Sequence, residues 1–208
     1  MRIDVIVPEG VSGPWRIEAF RVSEQESEMT LARAKITGTI NEFVPTGNYK
    51  RLVREETVVM SNTPMEIRTN RAFIYRAKGK VLINGLGLGM VLSAILKKPE
   101  IESVTVVEAS EDVIKLVGPS FCDDSRVTIV HACAFEYQPE QGTFFDAVWH
   151  DIWDEISDEN LPEMHKLHRK YGQRANWQGS WARAECEMLR ERAKNFTCEI
   201  KEACSRVN

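Results

Sequence analysis

Residues 81–108 constrain the fold more than any other stretch. The apolar run Val81-Leu82-Ile83-Asn84 enters the turn Gly85-Leu86-Gly87-Leu88-Gly89, a helix-compatible segment comes next, and a second apolar run, Val104-Thr105-Val106-Val107, ends on Glu108. That order predicts a strand, a tight turn, a helix and a second strand. Glycines let the backbone bend sharply and come close to a ligand. A carboxylate about 20 residues beyond the first glycine, at the end of the next strand, is placed to accept hydrogen bonds from the hydroxyls of a ribose. The unit is laid out to hold a nucleoside.

The surrounding pattern extends this unit. Strands are expected over 80–84, 103–108, 127–131 and 145–150, and helices over 88–97, 111–117, 162–171 and 180–195, with a last short strand over 197–200. Alternating strands and helices predict an α/β fold built on a doubly wound, mainly parallel, Rossmann-like sheet. Residues 1–79 differ in character. Residues 2–7 alternate apolar and polar as an edge or half-buried strand does, and 36–40 and 51–60 read as further strands, with Leu52, Val53, Val58 and Val59 in the core. Residues 23–28 read as a loop or the first turn of a helix, and Thr63-Pro64 opens a helix over 65–76. The expected organisation is a small β-rich N-terminal domain, 1–79, ahead of a Rossmann-like domain, 80–208. The residues after Asp151 look mostly helical, so the sheet is expected to be shortened. Its edge then needs cover from the N-terminal domain or from a second copy in a homodimer.

Composition narrows the partners. The 27 Lys and Arg against 31 Asp and Glu leave a net charge of −4, so no global basic field points to nucleic acid, although a local basic face stays open. No apolar run approaches the roughly 18 residues of a membrane helix, and the first residues lack the apolar core of a leader. Five cysteines without a C-x-x-C pair suit free thiols in a reduced, cytoplasmic protein.

The choice of nucleoside turns on the turn itself. A dinucleotide site uses G-x-G-x-x-G and cradles a pyrophosphate. Here the form is G-x-G-x-G with Leu86 and Leu88 between, common where the ligand is a sulfonium nucleoside without phosphate. Residues 80–155 resemble class I S-adenosylmethionine-dependent methyltransferases, in particular their spermidine-synthase-like branch. The likeness rests on Asn84-Gly85-Leu86-Gly87-Leu88-Gly89, on Val106-Val107-Glu108, on residues 126–135 and on residues 145–154. The chain also resembles small uncharacterised proteins of phages and prophages around 149–154 and 160–164, which would place it in a host cytoplasm. The resemblance implies the cofactor S-adenosyl-L-methionine, held by Asn84, Gly85, Leu86, Gly87, Gly89, Glu108, Ala109, Cys133 and Ala134. It implies a methyltransferase of unknown acceptor, or else an aminopropyltransferase. A phage interaction protein that keeps the fold without catalysis is the third reading.

Cys133 departs from the family, which usually has an aspartate there for the adenine amino group. Cysteine is a poor acceptor, so this position either contacts the cofactor or is a buried structural thiol. Asp151, at the end of the fourth strand, is the catalytic candidate: a carboxylate beside a sulfonium can hold an amine and accept its proton. Its alternative is a loop acid that caps the next helix or sits in solvent. His150, Trp153 and Asp154 are candidate substrate contacts. Asp151, Asp154, Glu155, Asp158 and Glu159 together attract a cationic substrate or form a solvated helix entry. Of Trp149 and Trp153, one is expected to pack and the other to line the pocket. His150 reads as a base or as a satisfied polar residue. His165 and His168 lack a third metal ligand, so no metal is expected. The basic face of 166–174 is solvated or contacts phosphate, and Trp177 and Trp181 are expected to pack. The segment 58–64 is expected near the sulfonium end of the cofactor.

Overall fold

The computed structural model describes residues 3, 5–37 and 43–205. Its larger sheet is the doubly wound one: β5 (Gly79–Asn84), β6 (Ile101–Glu108), β7 (Val127–His131), β8 (Phe145–His150) and β9 (Ala175–Ser180) are all parallel, in the order β7-β6-β5-β8-β9. The chain reverses its direction of travel across the sheet beside β5, and this leaves a crevice at the C-terminal strand ends. Val81, Ile83, Val106 and Trp149 face one buried cluster with α3 (Met90–Ile95) and α4 (Glu111–Val117). Leu82, Val107 and Val148 face another with Leu167 and Tyr171 of α5 (Leu161–Tyr171). The continuous apolar runs of the sequence reflect this burial on both faces.

The fifth strand, β9, is absent from the sequence expectation. Its residues, Ala-Asn-Trp-Gln-Gly-Ser, carry no β-branched side chain. Instead Trp177 stacks on Trp149 and Phe73 at centroid distances of 6.2 and 6.1 Å. The last helix, α6, runs over Arg183–Ser205, so residues 197–200 are helical and not a strand, and the helix starts later than Ser180. Among the described residues no helix is long and apolar enough to cross a membrane.

The smaller sheet is an antiparallel meander of β1 (Gly10–Ser12), β2 (Trp15–Val22), β3 (Gly47–Arg54) and β4 (Thr57–Ser61). Residues 51–60 form a hairpin, not one strand: Glu55 turns the chain at φ 55°. A register shift at Leu52/Val53 puts both consecutive side chains inside. Val58, expected in the core, is 47% exposed, and Val59 is half-buried. Between β2 and β3 lies α1 (Glu24–Thr37), where 36 and 37 were expected to begin a strand; residues 38–40 fall outside the described residues. The signal for this helix is a capping box. The Ser23 Oγ accepts from the Glu26 amide at 3.3 Å, while Glu26 Oε2 accepts from the Ser23 amide at 2.7 Å. Ile3, Val5 and Val7 are buried as their alternation suggests, but no ladder is formed by described residues 5–9.

The two sheets share a core. Ile3, Val7, Ile17 and Leu52 belong to the same buried cluster as Val81 and Leu88, and α2 (Pro64–Arg76) packs against α3 and β8. Ser12 Oγ donates to Asp112 of α4 at 2.7 Å. These contacts bring β4 and the start of α2 over the crevice.

Candidate functional site

The strand ends, β4 and α2 enclose a cavity of about 390 Å3. Its floor is the glycine turn. Gly85 donates to the Val107 carbonyl at 2.8 Å, and Asp151 donates to the Asn84 carbonyl at 2.8 Å, so the turn is clamped between β6 and the segment after β8. Gly85 has φ 100° and Gly87 φ 50°. A Cβ on Gly85 would penetrate the Asp151 carbonyl oxygen, and one on Gly87 would penetrate Met60 Sδ. The turn is bare because nothing larger than hydrogen fits. Gly89 ends it at the N-terminus of α3.

Glu108 is fixed by this turn. Its Oε2 accepts from the Leu86 amide and its Oε1 from the Ser110 amide, each at 2.8 Å. Each oxygen keeps a further lone pair, and the half-buried side chain lines the cavity with Ala109, Cys133 and Ala134. The segment carrying Cys133 is held from behind by α5. Lys170 Nζ donates to the Ala134 and Phe135 carbonyls at 3.1 and 3.0 Å, and Lys166 Nζ sits 4.9 Å above the Phe135 ring. These two lysines of the basic face thus serve the cavity wall.

Asp151 lines the cavity, as do Trp153 and Asp154. Burial raises the Asp151 carboxyl to about 7. Asp154 is already engaged: its Oδ2 accepts from Arg54 at 2.5 Å. Glu155, Asp158 and Glu159 do not line the cavity, and Ser157 Oγ accepts from the Glu159 amide at 3.2 Å in a short 3-10 turn. Trp149 is the packing member of its pair, donating to Asn70 Oδ1 at 3.0 Å, and Trp153 the lining one.

The structure places His150 elsewhere. Strand alternation turns it to the opposite face of β8 from Trp149, where it is 0% exposed. Its Nδ1 accepts from Asn84 Nδ2 at 2.7 Å, which leaves Nε2–H facing Gln178 Oε1 at 3.4 Å. Burial lowers it to about 3, so it is a neutral structural residue. Asn84, its partner, is also fully buried and outside the cavity lining. His168 has both ring nitrogens in use, accepting from Arg183 at 3.0 Å and bonding Ser180 Oγ at 2.9 Å.

Glu66, Trp15 and Trp181 line the cavity without having been marked by the sequence as site residues, and Met60 lies within the segment 58–64 that was expected there. Glu66, in the first turn of α2, reads as an ordinary helix-start acid. Here it is half-buried and raised to about 8, first by burial and then by Asp151. Met60 Sδ accepts from the Leu88 amide at 3.1 Å, covering the turn.

No family model matches the chain, and no curated protein matches it. Among solved structures it resembles spermidine synthase from Thermotoga maritima, 20% identical over 79% of this chain and 53% of that one, with a TM-score of 0.43. It also resembles a methyltransferase from Streptomyces caelestis, 17% identical over 53% and 45% of the two chains, at 0.41. An N-methyltransferase from Bradyrhizobium japonicum, in complex with S-adenosyl-L-homocysteine, is 12% identical over 52% and 56%, at 0.40. The chain spans about half the length of these structures. Overlaps this loose assign no family; the chemistry of the cavity rests on its own residues.

Proposed function

We propose that the chain is an S-adenosylmethionine-dependent transferase, with methyl transfer to an unknown acceptor as the first reading. The observation that carries it is the pairing of a bare glycine turn with Glu108, whose carboxylate is locked by two amides across a cavity that ends at Asp151. The cradle and carboxylate fit a nucleoside, with Met60 the group that must swing aside. When bound, the cofactor would supply a carbon made electrophilic by its sulfonium. Gly85 and Gly87 would let the backbone lie against it, and Glu108 would accept from the ribose. Cys133 and Ala134 would border the adenine. Asp151 would orient the acceptor and take its proton. Residues 1–79 would cover the site through β4.

Calorimetry with S-adenosylmethionine and S-adenosylhomocysteine tests this. Binding of both is expected, and Glu108→Ala should weaken it about 10- to 100-fold, the scale of hydrogen bonds to a charged group. Unchanged affinity refutes the ribose assignment. No heat from either ligand, with folded protein, would leave the non-catalytic scaffold. Met60→Ala is expected to tighten binding several-fold, because the thioether no longer covers Gly87, while costing about 1–2 kcal/mol of stability for a half-buried side chain. Chemical denaturation and the same calorimetry check both effects.

Aminopropyl transfer is the second reading, and one observation favours it. Among the described residues lining the cavity, Arg54 is the only Lys or Arg, and Asp154 already pairs with it. A donor without an α-carboxylate suits that lining better. Comparing decarboxylated with ordinary S-adenosylmethionine as ligands separates the two readings.

A further inference from the structure

Glu66 and Asp151 reach one cavity from elements far apart in the chain, α2 and the segment after β8. Apolar groups line the same cavity, among them Trp15, Leu52 and Trp181. The other charged or titratable groups on the cavity wall do not compensate them. Glu108 from β6 adds a further carboxyl, held by amides, the Arg54–Asp154 pair from β3 and the post-β8 segment is self-contained, and Cys133 brings no cation. Among the described residues no Lys or Arg of α2 lines the cavity. The backbone amide of Ser61 donates to Glu66, which supports one ionised carboxylate but not two.

The charge of Asp151 opposes ionisation of Glu66, and carboxyls that interact in this way share their titration steps. We propose that Glu66 is a positioning residue of this site: with Asp151 it forms a two-carboxyl unit that holds one proton, and a cation entering the cavity replaces that proton. The directions agree: burial and Asp151 raise Glu66 to about 8, and burial, opposed in smaller part by the Trp149 indole, raises Asp151 to about 7. The unit therefore selects for positive charge at neutral pH. Taking S-adenosylmethionine as that cation rests on the proposed function; the shared proton does not.

Two measurements decide the matter. Carboxyl carbon NMR of the ligand-free wild-type protein should show Glu66 and Asp151 titrating well above 6, and Asp151→Asn should shift the Glu66 midpoint down. Midpoints near 4, or a Glu66 midpoint unmoved in Asp151→Asn, would overturn the unit; Glu66→Gln reads the coupling from the other side. The second measurement compares affinity for S-adenosylmethionine with that for S-adenosylhomocysteine between pH 6 and 8. The amino and carboxylate groups common to both cancel, leaving the sulfonium charge. The ratio should rise by up to about tenfold per pH unit while a proton is released on binding, and should be flat in the Glu66→Gln/Asp151→Asn double variant. A flat ratio in the wild type, with both ligands bound, rejects the exchange of proton for cation but leaves the cofactor reading standing. If neither ligand binds, both of those fall, and the carboxyl titration alone decides whether the unit exists.

Discussion

Gly85→Ala is expected to cost about 3–5 kcal/mol, the range of a strained backbone combined with a buried clash. At φ 100° an L-residue is strained whatever the space, and the added methyl would meet the Asp151 carbonyl. That oxygen is backbone and cannot rotate away, because the Asp151 amide is tied to Asn84 in the same clamp. The change should therefore also displace Asp151 and remove the proposed binding of S-adenosylmethionine. Gly142→Ala is the control: φ is 81° there, but the Cβ would meet nothing within 4 Å. It should cost only about 1–2 kcal/mol, the left-handed penalty alone. Urea denaturation of the two variants checks the difference, and equal midpoints would refute the clamp.

The second large effect is a hidden sensitivity to acid. His150 is lowered to about 3 in the folded chain against an ordinary 6.5, so between these values the unfolded chain binds the extra proton and stability is lost as pH falls. The loss is about 1.4 kcal/mol per pH unit for this fully buried ring. His168, lowered to about 4, acts in the same direction. Glu66 and Asp151 act in the opposite one. Their folded values, about 8 and 7, lie above the unfolded 4.5 and 3.8, so they favour the folded state on acidification and are lost as stabilising groups when pH rises through 7 to 8. Wild-type stability should thus change little between pH 6.5 and 4.5. The Glu66→Gln/Asp151→Asn double variant should fall by at least about 1 kcal/mol per pH unit over the same window. Urea denaturation across that range tests this; a double variant as level as the wild type would mean that His150 is not held neutral.

Much of the sheet was legible because its signals are local. Helix α4 and strands β7 and β8 match the expected bounds residue for residue, each having a cap, a turn or an apolar run of its own. Glu108 and the glycine turn were legible for the same reason, lying in one strand-turn-helix-strand unit. β9 was not, because its place is set by the stacking of Trp177 on Trp149, from a strand some 30 residues earlier. His150 was misplaced because adjacency to Asp151 does not survive the alternation of a strand: Trp149 and His150 leave β8 on opposite faces. Glu66 was missed because nothing near it in the sequence is unusual, and Met60 was expected near the site only as part of the segment 58–64, with no role of its own. An acid three residues into a helix, and a methionine at the end of a strand, become site residues only when the smaller sheet closes over the larger.

The amino-acid sequence by itself determined the α/β class, the glycine turn and the carboxylate opposite it, since each depends on residues within a few turns of chain. Only the tertiary structure decided what faces that turn. Met60 over Gly87 and Glu66 beside Asp151 are meetings across the two sheets, made by the shared core of Ile17, Leu52, Val81 and Leu88. The electrostatic character of the cavity comes from those meetings, because a carboxyl becomes proton-holding through the burial and neighbours that folding gives it.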